Sequence, residues 1–279
     1  MTRAFVLLFQ CRDRKGIVAQ VSEFILRQGG NIVNASQHST GLQEGDFFLR
    51  VEFILEQAAT AEALSVNFSE LARGLNAEFT FYEKGKRRRI GILVSRPGHC
   101  LAELLYLWKT GEIAADIPFI AGNFSGHEEL AGQYGVPFHF IPARKDGRKE
   151  AEILALAAQT DFLVLARYML VLSAEFLRAY GKDIINIHHG LLPAFQGADP
   201  YAQAFACGVK VIGATAHFAD EKLDGGPIIA QVVGQVSHED DAASLARKGR
   251  RLERHALAQA VEKYLDYRVI RQAQKTVVF

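Results

Sequence analysis

The order of apolar and polar positions divides the chain into two patterns. "RAFVLLFQC" is a short apolar run fit for a buried strand. "GIVAQVSEFILRQGG" then spaces Ile17, Val18, Val21, Phe24 and Ile25 at helical intervals and stops at Gly29 and Gly30. "NIVNASQHST" and "DFFLRVEFIL" read as two strands joined by the turn "GLQEG". "TAEALSVNFSELARGL" returns to helical period with Leu64, Phe68, Leu71 and Leu75 on one face, and "EFTFYEK" closes as an alternating strand. The order βαββαβ is the ferredoxin-like arrangement, expected over residues 1–84.

The stretch 85–89 is expected to be a basic linker, because "EKGKRRR" interrupts every periodicity with one glycine and five basic residues. A solvated connector and a grip for an anionic ligand are both open readings of it. From residue 90 to 279 a second domain is expected, since apolar strands now alternate with helices: "RIGILVS", "CLAELLYLWKTG", "DIPFIAGN", "GHEELAGQYG", "PFHFIP", "RKEAEILALAAQ", "DFLVLARY", "SAEFLRAYG" and "DIINIHH". Such alternation argues for an α/β fold with a mostly parallel sheet covered on both faces. The final "DDAASLARKGRRLERHALAQAVEKYL" reads as one or two exposed amphipathic helices.

Composition narrows the function classes. Lys plus Arg total 32 against 31 Asp plus Glu, so no global field steers the chain to nucleic acid or to a membrane surface. Three scattered cysteines, Cys11, Cys100 and Cys207, suggest neither a disulfide framework nor a structural zinc site. The first apolar run is too short for a secretory leader and no later one reaches about 18 residues, so a soluble cytoplasmic protein acting on a small ligand is expected.

The candidate chemistry sits at the carboxyl end of the "NIHH" strand, where open α/β sheets bind ligands. Asn186 and His188 are two apart and share a face while Ile187 turns inward and His189 faces elsewhere. Downstream, Thr215 and His217 share a parity in "GATAHF", and Asp224 is wedged before the turn-forming Gly225, Gly226 and Pro227. An amide, an imidazole and a carboxylate are what attack on an acyl carbon needs, with water or an amine as nucleophile. Each also has a plainer reading: a histidine as a structural hydrogen-bonder, and Asp224 as a turn cap. Adjacent histidines on alternating faces rarely converge on one ion, so no metal is expected.

Here the sequence resembles the formyltetrahydrofolate deformylase family. "NIHHGLLPAFQGADPYAQAFACGVKVIGATAHFADEKLDGGPII" carries the family's N-x-H, L-L-P and T-x-H, with an Asp seven residues past the second histidine. "CRDRKGIVAQVSEFILRQGGNIVNASQHS" resembles its N-terminal ACT domain, and "ILVSRPGHCLAELLYLWKTGEI" its first catalytic strand and helix. The resemblance implies a Rossmann-like formyltransferase domain behind the ACT domain. Asn186, His188 and Asp224 would be its catalytic trio, with His217 and Thr215 in support, and its folate ring would lie near Leu170, Leu172, Asp220 and Leu223. It implies hydrolysis of 10-formyltetrahydrofolate to tetrahydrofolate and formate for one-carbon and purine metabolism, with no metal or other cofactor.

At the ACT domain an amino-acid effector is expected near Asp13, Gly16 and Asn31, or else a purely assembling role, with a homo-oligomer in either case. Formyl transfer to an amine and a catalytically silent amino-acid or folate sensor are the alternative functions. The turn "SRPGHCL", with Pro97 and a single glycine, provides poorly for a phosphorylated amine, which favours water. The family usually reads His-His-Ser where this chain has Gly190, and that missing hydroxyl would loosen the loop after His188.

Overall fold

The computed structural model describes residues 2–41, 44–56, 59–142, 150–194 and 199–279. Two compact units emerge, the first comprising Met1–Lys86 with Tyr267–Gln272 and Val277–Phe279. Its elements are β1 (Arg3–Arg12), α1 (Ile17–Arg27), β2 (Gly30–Ser39), β3 (Asp46–Leu55), α2 (Ala61–Leu75) and β4 (Glu78–Glu83). The antiparallel sheet runs β2-β3-β1-β4, the ferredoxin-like order. Leu42 and Gln43 of the expected turn lie outside the described residues.

Alternation sends Phe5, Leu7 and Phe9 of β1 and Phe47, Leu49, Val51 and Phe53 of β3 towards the helices, where they meet Ile17, Val21, Ile25, Leu64 and Phe68. Phe68 sits amid edge-on rings, with Phe24 at 4.8 Å and Phe79 at 4.9 Å between centroids. Part of the other face is covered as well, since Val6, Phe48 and Arg50 are buried. The cause is the C-terminal segment: Arg50 Nε donates to the Tyr267 carbonyl at 3.0 Å, and the Tyr82 and Tyr267 rings stack at 4.1 Å. Nothing in the hydrophobic period announces that a tail following a long helix would complete the first unit.

The second unit comprises Arg87–Asp266 with Ala273–Thr276. It contains β5 (Arg88–Val94), α3 (His99–Thr110), β6 (Ala115–Gly122), α4 (Glu128–Gln133), β7 (Phe138–Phe140), α5 (Glu150–Ala157), β8 (Phe162–Ala166), α6 (Ala174–Tyr180), β9 (Ile184–His188), α7 (Pro200–Ala206), β10 (Val211–Phe218), β11 (Ile228–Gln235) and α8 (Ala242–Leu265). The residues expected to begin α5, 148 and 149, lie outside the described set. Two short strands, β12 (Val269–Gln272) and β13 (Lys275–Val278), pair at the C-terminus.

Seven strands form one sheet in the order β11-β10-β9-β8-β5-β6-β7. The run from β9 to β7 is parallel, whereas β10 is antiparallel to both β9 and β11. The α/β fold is the expected one; the antiparallel β10 and the short helix α7 are additions to it.

Two local expectations change. Arg88 and Arg89 belong to β5 and not to a linker: the Arg88 guanidinium lies 4.7 Å from the Phe162 ring centre and 4.5 Å from that of Tyr264, the Arg89 guanidinium donates to Gln159, and the Arg89 backbone N–H donates to Asp161. These two cations are already engaged by protein groups. The terminal helix is single, and it is partly buried along Leu245, Gly249, Glu253, Leu257 and Val261 instead of exposed. Among the described residues no helix is long and apolar enough to cross a membrane.

Candidate active site

Strand register assembles the site. The antiparallel pairing of β9 with β10 sets Asn186 opposite His217 and His188 opposite Thr215, so four polar side chains share one face at the end of an apolar sheet. His217 Nδ1 lies 2.8 Å from the Phe218 carbonyl and donates to it, which leaves Nε2 to accept from Asn186 Nδ2 at 3.1 Å. Burial pushes the His217 imidazole down, and its bond to Phe218 offsets this only in part, so the ring is neutral near pH 7. It thereby fixes the Asn186 amide and leaves the second amide N–H for a ligand.

Asp224 reaches the same face from the loop between β10 and β11. Its backbone is left-handed, with φ 53°, and Gly226 two residues on is required: a Cβ there would stand 1.8 Å from the Phe218 carbonyl oxygen. Oδ2 lies 3.3 Å from His188 Nδ1, and Oδ1 lies 3.8 Å from His217 Nε2. Burial raises the Asp224 carboxyl, but the hydrogen bond and charge of His188 outweigh it and the net displacement is downward. The group is an ionised carboxylate at neutral pH, held against an imidazole.

A cavity of about 350 Å³ opens in front of these groups. Asn186, His188, His217 and Asp224 line it together with Leu170, Leu172, Asp220 and Leu223. Met169, Val171 and Leu223 stay more than half exposed at 54%, 51% and 59%, an apolar surface suited to a flat ring. His189 was expected on another face, yet it lines the same cavity. The reason is that β9 ends at His188, and alternation stops with it. Burial, aided by the charge of Arg167, pushes His189 down to about 4.

Thr215 does not line the cavity. Its buried hydroxyl donates to the Gly190 carbonyl at 2.8 Å and accepts from the Leu192 N–H at 3.0 Å. Gln231 of β11 adds bonds to the Leu192 carbonyl at 2.8 Å and to Thr215 Oγ1 at 3.1 Å. The loop after His188 is thus anchored from β10 and β11, so the missing hydroxyl at Gly190 does not leave it untethered. Gln231 went unread; a lone amide inside "IIAQVV" was the available sign.

A second group of residues also escaped the sequence reading. Glu253 of α8, 1% exposed, accepts from Tyr201 OH at 2.8 Å, contacts His99 Nε2 at 2.8 Å, and lies 3.3 Å from Arg167 Nε. Burial raises its carboxyl, but the His99 bond and the Arg167 charge bring it below the ordinary value. His99, Cys100 and Glu253 place ligand-type atoms within 4.8 Å of one another. They make a poor cation site, because Arg167 already holds the carboxylate and burial pushes the Cys100 thiol well up, keeping it neutral.

Glu253→Gln is expected to lower stability at pH 7 by about 3 kcal/mol, because it removes the charge partner of the largely buried Arg167 side chain. A depressed carboxyl stabilises the fold above its unfolded pKa and loses that contribution as pH falls through its folded value. The gap between parent and variant should therefore close below the ordinary glutamate range. Urea unfolding at several pH values measures it, and equal stabilities at pH 7 would contradict the expectation.

In the first unit, Asp13 follows β1, where its carboxylate accepts from Ser39 Oγ and its N–H bonds the Gly45 carbonyl at 2.8 Å. Gly16 caps α1 with φ 89°, and Asn31 is exposed on the edge strand β2, opposite Ile54.

A doubly covered sheet with an amide, an imidazole and a carboxylate at its rim, facing an apolar cavity, defines an acyl-group enzyme of the formyl transferase class. The formyl transferase family pattern matches residues 88–261, and the ACT domain pattern matches residues 5–67. A formyltetrahydrofolate deformylase of Synechocystis sp. is 43% identical over 279 residues, spanning 98% of this chain and 97% of its own length. The crystal structure of a formyltetrahydrofolate deformylase from Pseudomonas syringae pv. tomato superposes with a TM-score of 0.95 at 38% identity, covering 99% of this chain and 94% of that one. A glycinamide ribonucleotide transformylase from Symbiobacterium toebii shares the fold over 71% of this chain and 97% of its own, with a TM-score of 0.65 and 29% identity. The chain belongs to the formyltetrahydrofolate deformylase family, and it is a hydrolase.

Proposed function

We propose that the chain hydrolyses 10-formyltetrahydrofolate to tetrahydrofolate and formate, with Asn186, His188 and Asp224 as the catalytic groups. The folate ring lies on the apolar wall formed by Leu170 and Leu172, with Asp220 and Leu223 at its edge. Asp224 takes a proton from water as its oxygen attacks the formyl carbon. The formyl oxygen becomes an oxyanion and accepts from the Asn186 amide and from His188 in its protonated form. The bond from carbon to N10 then breaks, Asp224 returns its proton to N10, and formic acid loses its own proton to solvent. Asp224 carries the protons in this scheme, so no metal or further cofactor is assigned.

The observation that supports this reading best is a single one. An ionised Asp224 stands 3.3 Å from His188, beside an Asn186 amide fixed by neutral His217, at the wall of one cavity. The test is formate release from 10-formyltetrahydrofolate with water as the sole acceptor. Folded protein that yields no formate would overturn it.

Formate made this way feeds one-carbon pools used for purine synthesis, in a cytoplasmic homo-oligomer whose ACT unit senses an amino acid near Asp13, Gly16 and Asn31. Calorimetric titration with glycine, methionine and other amino acids tests the sensing role; heat from none of them would leave assembly as the unit's task.

A further inference from the structure

The strand order reverses between β5 and β8: the chain runs outward through β6 and β7, then returns to continue through β8 and β9. In open α/β sheets the crevice beyond such a reversal receives a ligand. Here protein hydrogen bonds span it. The Ser95 N–H bonds the Arg167 carbonyl at 3.2 Å, Ser95 Oγ accepts from the Met169 N–H at 2.8 Å, and His127 Nε2 donates to the Ser95 carbonyl at 2.7 Å.

Arg167 directly follows β8, whose Leu165 pairs with Asn186, and its charge is felt at His189. Its backbone is left-handed at φ 64°, a strained state for a long side chain that surrounding contacts must hold. From there it lines the catalytic cavity and reaches back to Glu253, with His99 of α3 and Tyr201 of α7 on the same carboxylate. None of Glu253, His99 and Tyr201 lines the cavity, whereas two of their neighbours do: Arg167, beside Glu253, and His189, whose ring centre lies 6.1 Å from that of Tyr201. Packing behind is tight: a Cβ at Gly249 would stand 2.0 Å from the Tyr201 ring. Burying a carboxylate with three partners is a weak way to gain stability, and a hydrophobic cluster would serve as well.

We propose that Arg167, in ionic contact with a Glu253 that His99 and Tyr201 hold in place, is a specificity-determining plug that keeps amine acceptors out of the catalytic cavity and so reserves the formyl carbon for water. The proposal rests on the hydrolytic reading above. With an amine admitted, its nitrogen would attack the formyl carbon, the bond to N10 would break, and the amine's proton would pass to N10, giving an N-formyl amine and tetrahydrofolate. The Arg167 side chain at the cavity wall opposes that entry by volume, and its charge by repelling a protonated amine.

The test supplies substrate carrying ¹³C in the formyl group together with glycinamide, and reads the ratio of N-formylglycinamide to formate by NMR. The parent should give formate with only a small, measurable trace of N-formylglycinamide. Arg167→Gly combined with Glu253→Gln removes both charges and suits the left-handed backbone; it should raise the ratio by about tenfold or more, the scale of a pocket contact that discriminates substrates. His99→Ala leaves the Arg167–Glu253 pair in place and should raise it less, and it carries the test if the double variant fails to fold. A ratio unchanged in both folded variants would overturn the proposal, as would a folded double variant forming neither product, which would make the cluster a support for the trio. Absence of formate from the parent would instead overturn the hydrolytic reading.

Discussion

Asp224→Asn should reduce formate release about a thousand-fold, the middle of the range that a positioned proton-transfer group contributes. The substitution keeps the side chain's shape and an oxygen able to accept from His188, while removing the charge that takes the proton from water. Burial works against that charge and the His188 contact more than restores it, so the parent carboxylate stays ionised below the ordinary aspartate range. The acid limb due to Asp224 should therefore lie below that range in the parent and be missing from whatever activity the variant retains. Steady-state rates across pH, with circular dichroism as a check on folding, decide the matter. A folded Asp224→Asn enzyme turning over at the parent rate would remove Asp224 from the chemistry.

The second large effect is expected at Asn186. Asn186→Ala removes a donor aimed where negative charge develops, worth about 3 to 4 kcal/mol at the transition state, or roughly two to three orders of magnitude in turnover. The loss should fall on kcat with KM for the folate little changed, because the amide meets the oxygen most strongly once it is charged. His217→Ala, which frees the amide to rotate, should give a smaller fall of the same kind, since Asn186 Nδ2 is held by His217 Nε2 at 3.1 Å. A rise in KM alone for Asn186→Ala would make the residue a binding group and not an oxyanion donor.

The first six elements were legible because each carries its own period: Leu64, Phe68 and Leu75 mark a helix and the alternation from Phe47 to Leu55 marks a strand, with no help from distant residues. The parity of Asn186 with His188 and of Thr215 with His217 was equally local. What joined the pairs was not, since the antiparallel register of β9 and β10 depends on the whole sheet. Glu253 shows the same limit: in "RRLERH" it reads as one more surface charge, and only the packing of α8 against α3 and α7 makes it buried and partnered. Arg167 is similar, its left-handed backbone set by Ser95 and Glu253 from far along the chain. The tail from Tyr267 to Gln272 has too few apolar residues for a period, so its place on the first sheet could not be foreseen.

Water as the nucleophile is tested most directly by single-turnover hydrolysis in H₂¹⁸O, with mass analysis of the formate. One oxygen from solvent should appear in every formate released, matching the tetrahydrofolate formed mole for mole. Formate lacking solvent oxygen, or tetrahydrofolate appearing without formate, would contradict hydrolysis by this trio.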